Sequence, residues 1–119
     1  MNRLIAGAAL LGFLGVAFGA FGAHALGGQL TEQSRGWWDT ATSYLLPHAA
    51  AALAVGLSGR TGRFMLAGWL FVAGAVIFAG SLYAMALGAP RGLGAVTPIG
   101  GIGLLAGWLT LALAALKKD

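Results

Sequence analysis

The stretch FMLAGWLFVAGAVIFAGSLYAMAL, residues 64–87, runs for 24 residues without a charge and decides the fold. At about 1.5 Å of rise per residue such a helix reaches about 36 Å, more than the roughly 30 Å of a bilayer's hydrocarbon core. Arg63 precedes it, and Gly88-Ala89-Pro90 follows as a helix-breaking sequence. Three comparable uncharged runs lie at residues 4–26, 40–57 and 96–116, of 23, 18 and 21 residues. A membrane span needs about 20 residues, within a range of about 17–25. The four runs predict an all-α membrane protein: a four-transmembrane-helix bundle with short loops, forming a single domain over residues 1–119.

Composition points the same way. Hydrophobic residues make up 59% of the chain and charged residues 8%, against about a quarter charged in soluble domains. That leaves too little polar surface to coat a globule in water, so the lipid bilayer is the expected partner. The 21 glycines suit helices whose backbones approach closely. The absence of cysteine excludes disulfides and thiolate metal sites. The net charge of +4 comes from cations placed singly or in pairs at the ends of apolar runs. That placement serves membrane topology, and no nucleic-acid partner is expected.

With four spans, the N-terminus, the 58–63 loop and the C-terminus share one side, which carries Arg3, Arg60, Arg63, Lys117 and Lys118. The other side holds Arg35 and Arg91 with the acids Glu32 and Asp39. The excess of cations marks the cytoplasmic side, so both ends are predicted to face the cytoplasm of a bacterium, with the protein in its inner membrane. Arg3, the first apolar run and Ala23-His24-Ala25 imitate a secretory signal with its cleavage site. The run exceeds the roughly 7–15 residues of a signal core and is rich in small residues, so it is read as a retained helix.

Helix packing is expected along small-residue stripes: Gly15, Gly19 and Ala23 on the first helix, Gly80, Ala84 and Gly88 on the third, and Gly103 and Gly107 on the fourth. Spacing by four places each set on one face. Such stripes serve contacts within one chain or between chains, so a homo-oligomer or a larger membrane complex is a possible assembly. Trp37 and Trp38 are expected as interfacial anchors. Asp39 or Thr40 is expected to cap the second helix, and Thr97 followed by Pro98 the fourth.

Polar residues inside a span must find a partner or water. His24, Thr40, Tyr44, His48, Ser81, Tyr83 and Thr97 all fall toward the outer end of their helices, whereas the inner half is nearly all aliphatic. They are predicted to form a polar pocket opening outward, with Pro47 freeing a carbonyl beside His48. Two histidines are too few for zinc, and their unequal depth does not suit haem, so no metal or cofactor is expected.

The order Gly19-Ala-Phe-Gly-Ala-His24, Gly36-Trp37, Thr40, Tyr44, His48, Gly80-Ser-Leu-Tyr83, Thr97-Pro-Ile-Gly-Gly101 and Gly107-Trp108 resembles the membrane family called domain of unknown function 423. Its eukaryotic relatives are known as transmembrane protein 256. The resemblance covers nearly the whole chain and implies a small polytopic bacterial inner-membrane protein with no settled activity. In the family the tyrosine matching Tyr44 is often followed by glutamine; here Leu45 follows.

The leading expectation is a structural or accessory membrane protein. A small transporter, channel or lipid-binding protein is the alternative, for a neutral or lipidic ligand, since no carboxylate lies within a run to couple protons. An enzyme using His48, Tyr44 and Ser81 is the weakest, because no acid within the spans orients the imidazole.

Overall fold

The computed structural model describes residues 2–26 and 28–117; Lys118, counted above among the cytoplasmic cations, and Gly27, in the first loop, lie outside them. The chain folds into α1 (Arg3–His24), α2 (Glu32–Ser58), α3 (Arg63–Ala86) and α4 (Thr97–Leu116), with a 3-10 turn, Arg91–Ala95, leading into α4. No strand occurs among the described residues.

Local chemistry explains the boundaries. Asn2 caps α1, its side-chain oxygen accepting from the Ile5 amide at 2.9 Å. Thr31 caps α2 by accepting from the Ser34 amide at 3.0 Å. That cap lies well before residue 40, so Asp39 and Thr40 are helix-interior residues and not the predicted caps. Between α2 and α3, Gly59 (φ 71°) and Gly62 (φ 66°) take left-handed conformations that a side chain would oppose, which lets the chain reverse within a few residues. At α4 the cap is Val96, and the Thr97 hydroxyl is used elsewhere.

Among the described residues three segments are long and apolar enough to cross a membrane: α1, α3, and Arg91–Leu116, which spans the 3-10 turn and α4. α2 is the longest helix at 27 residues, but Ser43, Tyr44, Pro47 and His48 dilute its apolar run.

The interior is built of small residues and the exterior of large ones. Ala41, Ala52, Ala67 and Ala75 are fully buried, whereas Phe13 and Leu105 are 69% and 71% exposed. Phe71 and Leu4 are the largest side chains that are wholly enclosed. Lipid tails are as apolar as leucine, so such a protein gains little by hiding bulk and much by bringing backbones together.

Two seams show how. Between the antiparallel α1 and α2, Gly56 faces Ile5, Gly15 faces Leu46, Gly19 faces Thr42 and Gly22 faces Trp38. A Cβ on Gly15 would lie 2.5 Å from the Leu46 Cδ2, and one on Gly19 would lie 3.2 Å from the Thr42 methyl. Between α3 and α4, Phe71 fills the notch at Gly107, Gly74 lies against Gly103 and Leu104, and the Phe78 backbone meets Gly100. A Cβ on Gly103 would sit 3.3 Å from the Gly74 Cα, and one on Gly74 would sit 2.8 Å from the Leu104 nitrogen. From Gly15 to Gly22 on α1, and from Phe71 to Phe78 on α3, each step of three or four residues is matched by a step of three or four back along the neighbouring helix.

Gly80 departs from expectation. A Cβ there would meet nothing within 4 Å, so the Gly80, Ala84 and Gly88 stripe is not the packing face of α3. Gly74 has that role, because the face toward α4 is set by Phe71 and Phe78, which are three or four residues away from it.

Gly107→Leu should therefore cost about 1–3 kcal/mol through overpacking against Phe71, and Gly80→Leu should stay within about 0.5 kcal/mol of the native protein. Reversible unfolding in mixed micelles checks both. Equal losses for the two would mean that the seam is not where the glycines place it.

Candidate functional site

Polar side chains along the helices are paired between neighbouring helices in separate contacts at successive levels. At the Glu32 end, Trp38 donates its indole N–H to the Phe18 carbonyl at 2.8 Å, and its ring packs over Gly22. Trp38 is 4% exposed, so it is an internal strut and not the expected surface anchor; Trp37 is half-buried against the same cluster. Beside it, the Thr42 and Tyr83 hydroxyls share a hydrogen bond of 2.6 Å, with Tyr83 edge-on to both Trp38 and Phe18. On the other flank of α3, the Ser81 and Thr97 hydroxyls meet at 2.6 Å. Ser81 also reaches the Phe78 carbonyl at 2.9 Å. This pair is the top rung of the α3–α4 seam.

The deepest contact joins α2 to α4. The Trp108 indole N–H donates to His48 Nε2 at 2.9 Å, and His48 Nδ1 lies 2.6 Å from the Tyr44 carbonyl. An indole can only donate, so Nε2 must present its lone pair and Nδ1 must carry the proton. His48 is thereby fixed as a neutral imidazole in one tautomer, with both nitrogens engaged. Its ring lies parallel to that of Tyr44, at an interplanar angle of 4°, and contacts Phe71 and Trp108. His48 stands ten residues from the end of α2, about 15 Å along its axis, and Trp108 eight from the end of α4, about 12 Å.

Above this pair a lateral cleft of about 490 Å³ opens between α2 and α4. Phe78 of α3 lines it together with Tyr44, His48, Pro98, Gly101, Ile102, Leu105 and Trp108. The Tyr44 ring rests on Phe78, with centroids 4.7 Å apart, and its hydroxyl has no hydrogen-bond partner among the described residues. Tyr44 is 46% exposed along the cleft.

The seven predicted pocket residues thus divide. Tyr44 and His48 share the cleft. Ser81 with Thr97 and Tyr83 with Thr42 are closed pairs that do not line it. His24 and Thr40 are exposed and form no hydrogen bond through their side chains among the described residues. They do not converge because one helix turn moves a residue by about 5.4 Å, so residues two turns apart must take different partners. Sequence reasoning missed Thr42 and Trp108. Thr42 follows Trp38 by one turn, and Trp108 adjoins the packing glycine Gly107, which is the signal that could have found them. Pro47 supplies no N–H, leaving the Ser43 carbonyl without its helical donor on a shallow groove lined by Gly19, Asp39 and Thr42. Among the described residues no group of three His, Asp or Glu side chains could hold a metal.

A double-mutant cycle with His48→Leu and Trp108→Phe should give a coupling of about 0.6–1.7 kcal/mol, the range for interhelical hydrogen bonds in membranes. Additivity within about 0.3 kcal/mol would show that the contact adds nothing to stability.

Residues 18–101 match the family model described as "Protein of unknown function (DUF423)". The chain is 47% identical over 111 residues to a UPF0382 membrane protein of Staphylococcus epidermidis, covering 92% of this chain and 91% of that one. It is 40% identical over 121 residues to a UPF0382 membrane protein of Haemophilus influenzae, covering 98% and 96%. The UPF0382 membrane protein YwdK of Bacillus subtilis is 40% identical over 114 residues, covering 92% of each chain. No solved structure matches. The matched residues take in α2 and α3, the end of α1 and the start of α4, and the chain belongs to the DUF423 family of membrane proteins of unknown function.

Proposed function

We propose that this protein is a four-span accessory protein of the bacterial cytoplasmic (inner) membrane that holds the apolar chain of a neutral lipidic ligand in the cleft between α2 and α4. The observation that carries the reading is the cleft itself. Its volume of about 490 Å³ lies within the roughly 300–1,000 Å³ of small-ligand sites. A second helix, about 10–12 Å across with its side chains, does not fit such a space, whereas a hydrocarbon chain does. Tyr44 gives the cleft one polar point. Fourteen residues above the end of α2, it stands about 21 Å from the basic side, about 9 Å below the far edge of a 30 Å core. A hydroxyl there is unsatisfied in bare hydrocarbon and suits a ligand oxygen.

Packing supports the reading of four spans. α2 lies antiparallel to α1 and to α3, rung against rung, so if those two cross the bilayer α2 crosses with them. The basic end of the bundle then faces the cytoplasm, with both termini on that side. The role is binding and not catalysis: both His48 nitrogens are committed within the protein, and Glu32 and Asp39 lie near the opposite end from the basic loop. No cofactor is required.

Self-association is a second reading, favoured by the open stripe at Gly80. Gly80→Leu would then lower the particle mass in mild detergent without changing the fold.

Two measurements test the main reading. Cysteines placed at Ser58 and Gln33 should label from opposite sides of the membrane; labelling from one side overturns the topology. A phosphatidylcholine carrying a diazirine on its acyl chain should label Pro98, Ile102 and Leu105, and Gly101→Phe should abolish that labelling by plugging the cleft. Even labelling of Phe13, Val16, Leu66 and Leu109, which are exposed elsewhere, would leave the cleft with no special role.

A further inference from the structure

A groove of about 500 Å³ lies beside the α1–α2 seam, lined by Gly19 of α1 and by Asp39, Thr42, Ser43, Leu46 and Pro47 of α2. Asp39, Ser43 and Pro47 recur every four residues, so they stand on one face, and all three are exposed. The polar groups of that face are short of donors. A carboxylate only accepts, and Pro47 has no N–H to give the Ser43 carbonyl one turn before it. Thr42 supplies none either, because its hydroxyl is engaged with the Trp38 carbonyl at 3.1 Å and the Tyr83 hydroxyl at 2.6 Å. Among the described residues the Asp39 carboxylate and the Ser43 hydroxyl take part in no hydrogen bond or ion pair.

The cations of the described residues at this end are Arg35 and Arg91, and Arg91 is bonded to Gln33 at 2.8 Å. Arg35 precedes Asp39 by four residues, about 6 Å along the axis, in the weaker order for a helical ion pair, and no ion pair joins the two. Asp39 stands about 28 Å and Ser43 about 22 Å from the basic end of α2. In a spanning bundle with a core of about 30 Å, Asp39 is at the edge of the hydrocarbon and Arg35 is among the headgroups. Acyl chains offer no donor at that level. The face suits a positively charged group with several N–H donors, followed outward by an anion.

We propose that this groove binds the headgroup of an ethanolamine phospholipid. Its primary ammonium donates to the Asp39 carboxylate and the Ser43 hydroxyl, above the open Ser43 carbonyl, and its phosphate meets Arg35. A primary ammonium carries three donors, as the lysine side chain does, whereas the trimethylammonium of a choline lipid carries none. Ser43 and Tyr44 are about 100° apart around α2, so this groove and the α2/α4 cleft lie on different faces. The depth rests on the four-span reading above; the headgroup chemistry is independent of what the cleft holds.

The full chain in mild detergent micelles is titrated with phosphatidylethanolamine and, separately, phosphatidylcholine, each with the same fluorophore on an acyl chain. This reads the headgroup preference whichever way the chain crosses a membrane. Phosphatidylethanolamine should bind about tenfold more tightly, the worth of one hydrogen bond to a charged group. Gly101→Phe, which plugs the cleft, should leave that preference in place, as should Glu32→Gln, at the same end but outside the groove. Asp39→Asn, which keeps the shape, should erase it, and Arg35→Gln should weaken both lipids without changing their ratio. Equal binding of the two lipids, by the native protein and with the cleft plugged, overturns the proposal. A preference lost with Gly101→Phe would belong to the cleft, and one lost with Glu32→Gln would mark diffuse surface charge; either overturns it. So does a preference that survives Asp39→Asn. Tighter phosphatidylethanolamine binding by Arg35→Gln would make Arg35 the partner of Asp39, and displacement by millimolar free ethanolamine would make the groove a site for soluble amines; both outcomes also overturn it.

Discussion

Everything in this molecule depends on how near α4 comes to α3. At Gly74 the two backbones touch: a Cβ there would stand 2.8 Å from the Leu104 nitrogen and 3.0 Å from the Gly100 carbonyl oxygen. Helices this close gain dispersion along their whole length, which is the main attraction available where apolar burial is weak. On one side of the contact the Phe71 ring fills the notch at Gly107, and on the other the Phe78 backbone lies against Gly100. The α1–α2 seam repeats the arrangement with the bulk on α2, where Trp38, Thr42 and Leu46 press into Gly22, Gly19 and Gly15.

The polar contacts are consequences of those seams. Once α3 and α4 are locked in register, Ser81 and Thr97 lie opposite each other and share a hydrogen bond. Once α2 is fixed against α3, Thr42 meets Tyr83 and His48 is carried toward Trp108. Each pair is small and closed, so no side-chain polar atom that is buried lacks a partner among the described residues. The His48–Trp108 bond differs in that it joins α2 and α4, which are otherwise held apart by α3. It therefore spans the gap from which the lateral cleft arises, with open space above it.

Several of these features were legible in the residues alone. Four uncharged runs bounded by cations and breakers fix the helices, because length and charge are one-dimensional properties. Gly15, Gly19, Gly103 and Gly107 were recognisable as contact points from spacing, and each does meet a neighbouring helix. What spacing does not carry is azimuth. Gly80 belongs to as regular a stripe as Gly103, yet it faces open space, since the direction of an α3 stripe depends on which neighbour occupies which side. The same gap explains Trp38. Two adjacent tryptophans differ by about 100° around a helix, so Trp37 and Trp38 cannot share a role. Only the notch at Gly22, on another helix, determines which one turns inward. Start points were misjudged where a short side chain beyond the apolar run supplied the cap: Thr31 extends α2 by more than two turns.

The two ends of α2 show how little sequence is needed to give one small bundle opposite characters. Its first half carries Trp38, Thr42, Tyr44 and His48, so the bundle there is cross-braced by hydrogen bonds and left with a cleft beside α4. Its second half, Ala49 to Gly56, is alanine, leucine, valine and glycine, and packs without any polar side-chain contact until Ser58 turns back on the Val55 carbonyl. Beyond it, Gly59 and Gly62 compress the connection to α3 so tightly that Arg60, Thr61 and Arg63 are thrown together at the end of the bundle. A longer loop would let the two arginines stand further apart. The short glycine-hinged turn denies them that separation. The constraint that reverses the chain is thus also the one that concentrates charge where α4 delivers Lys117.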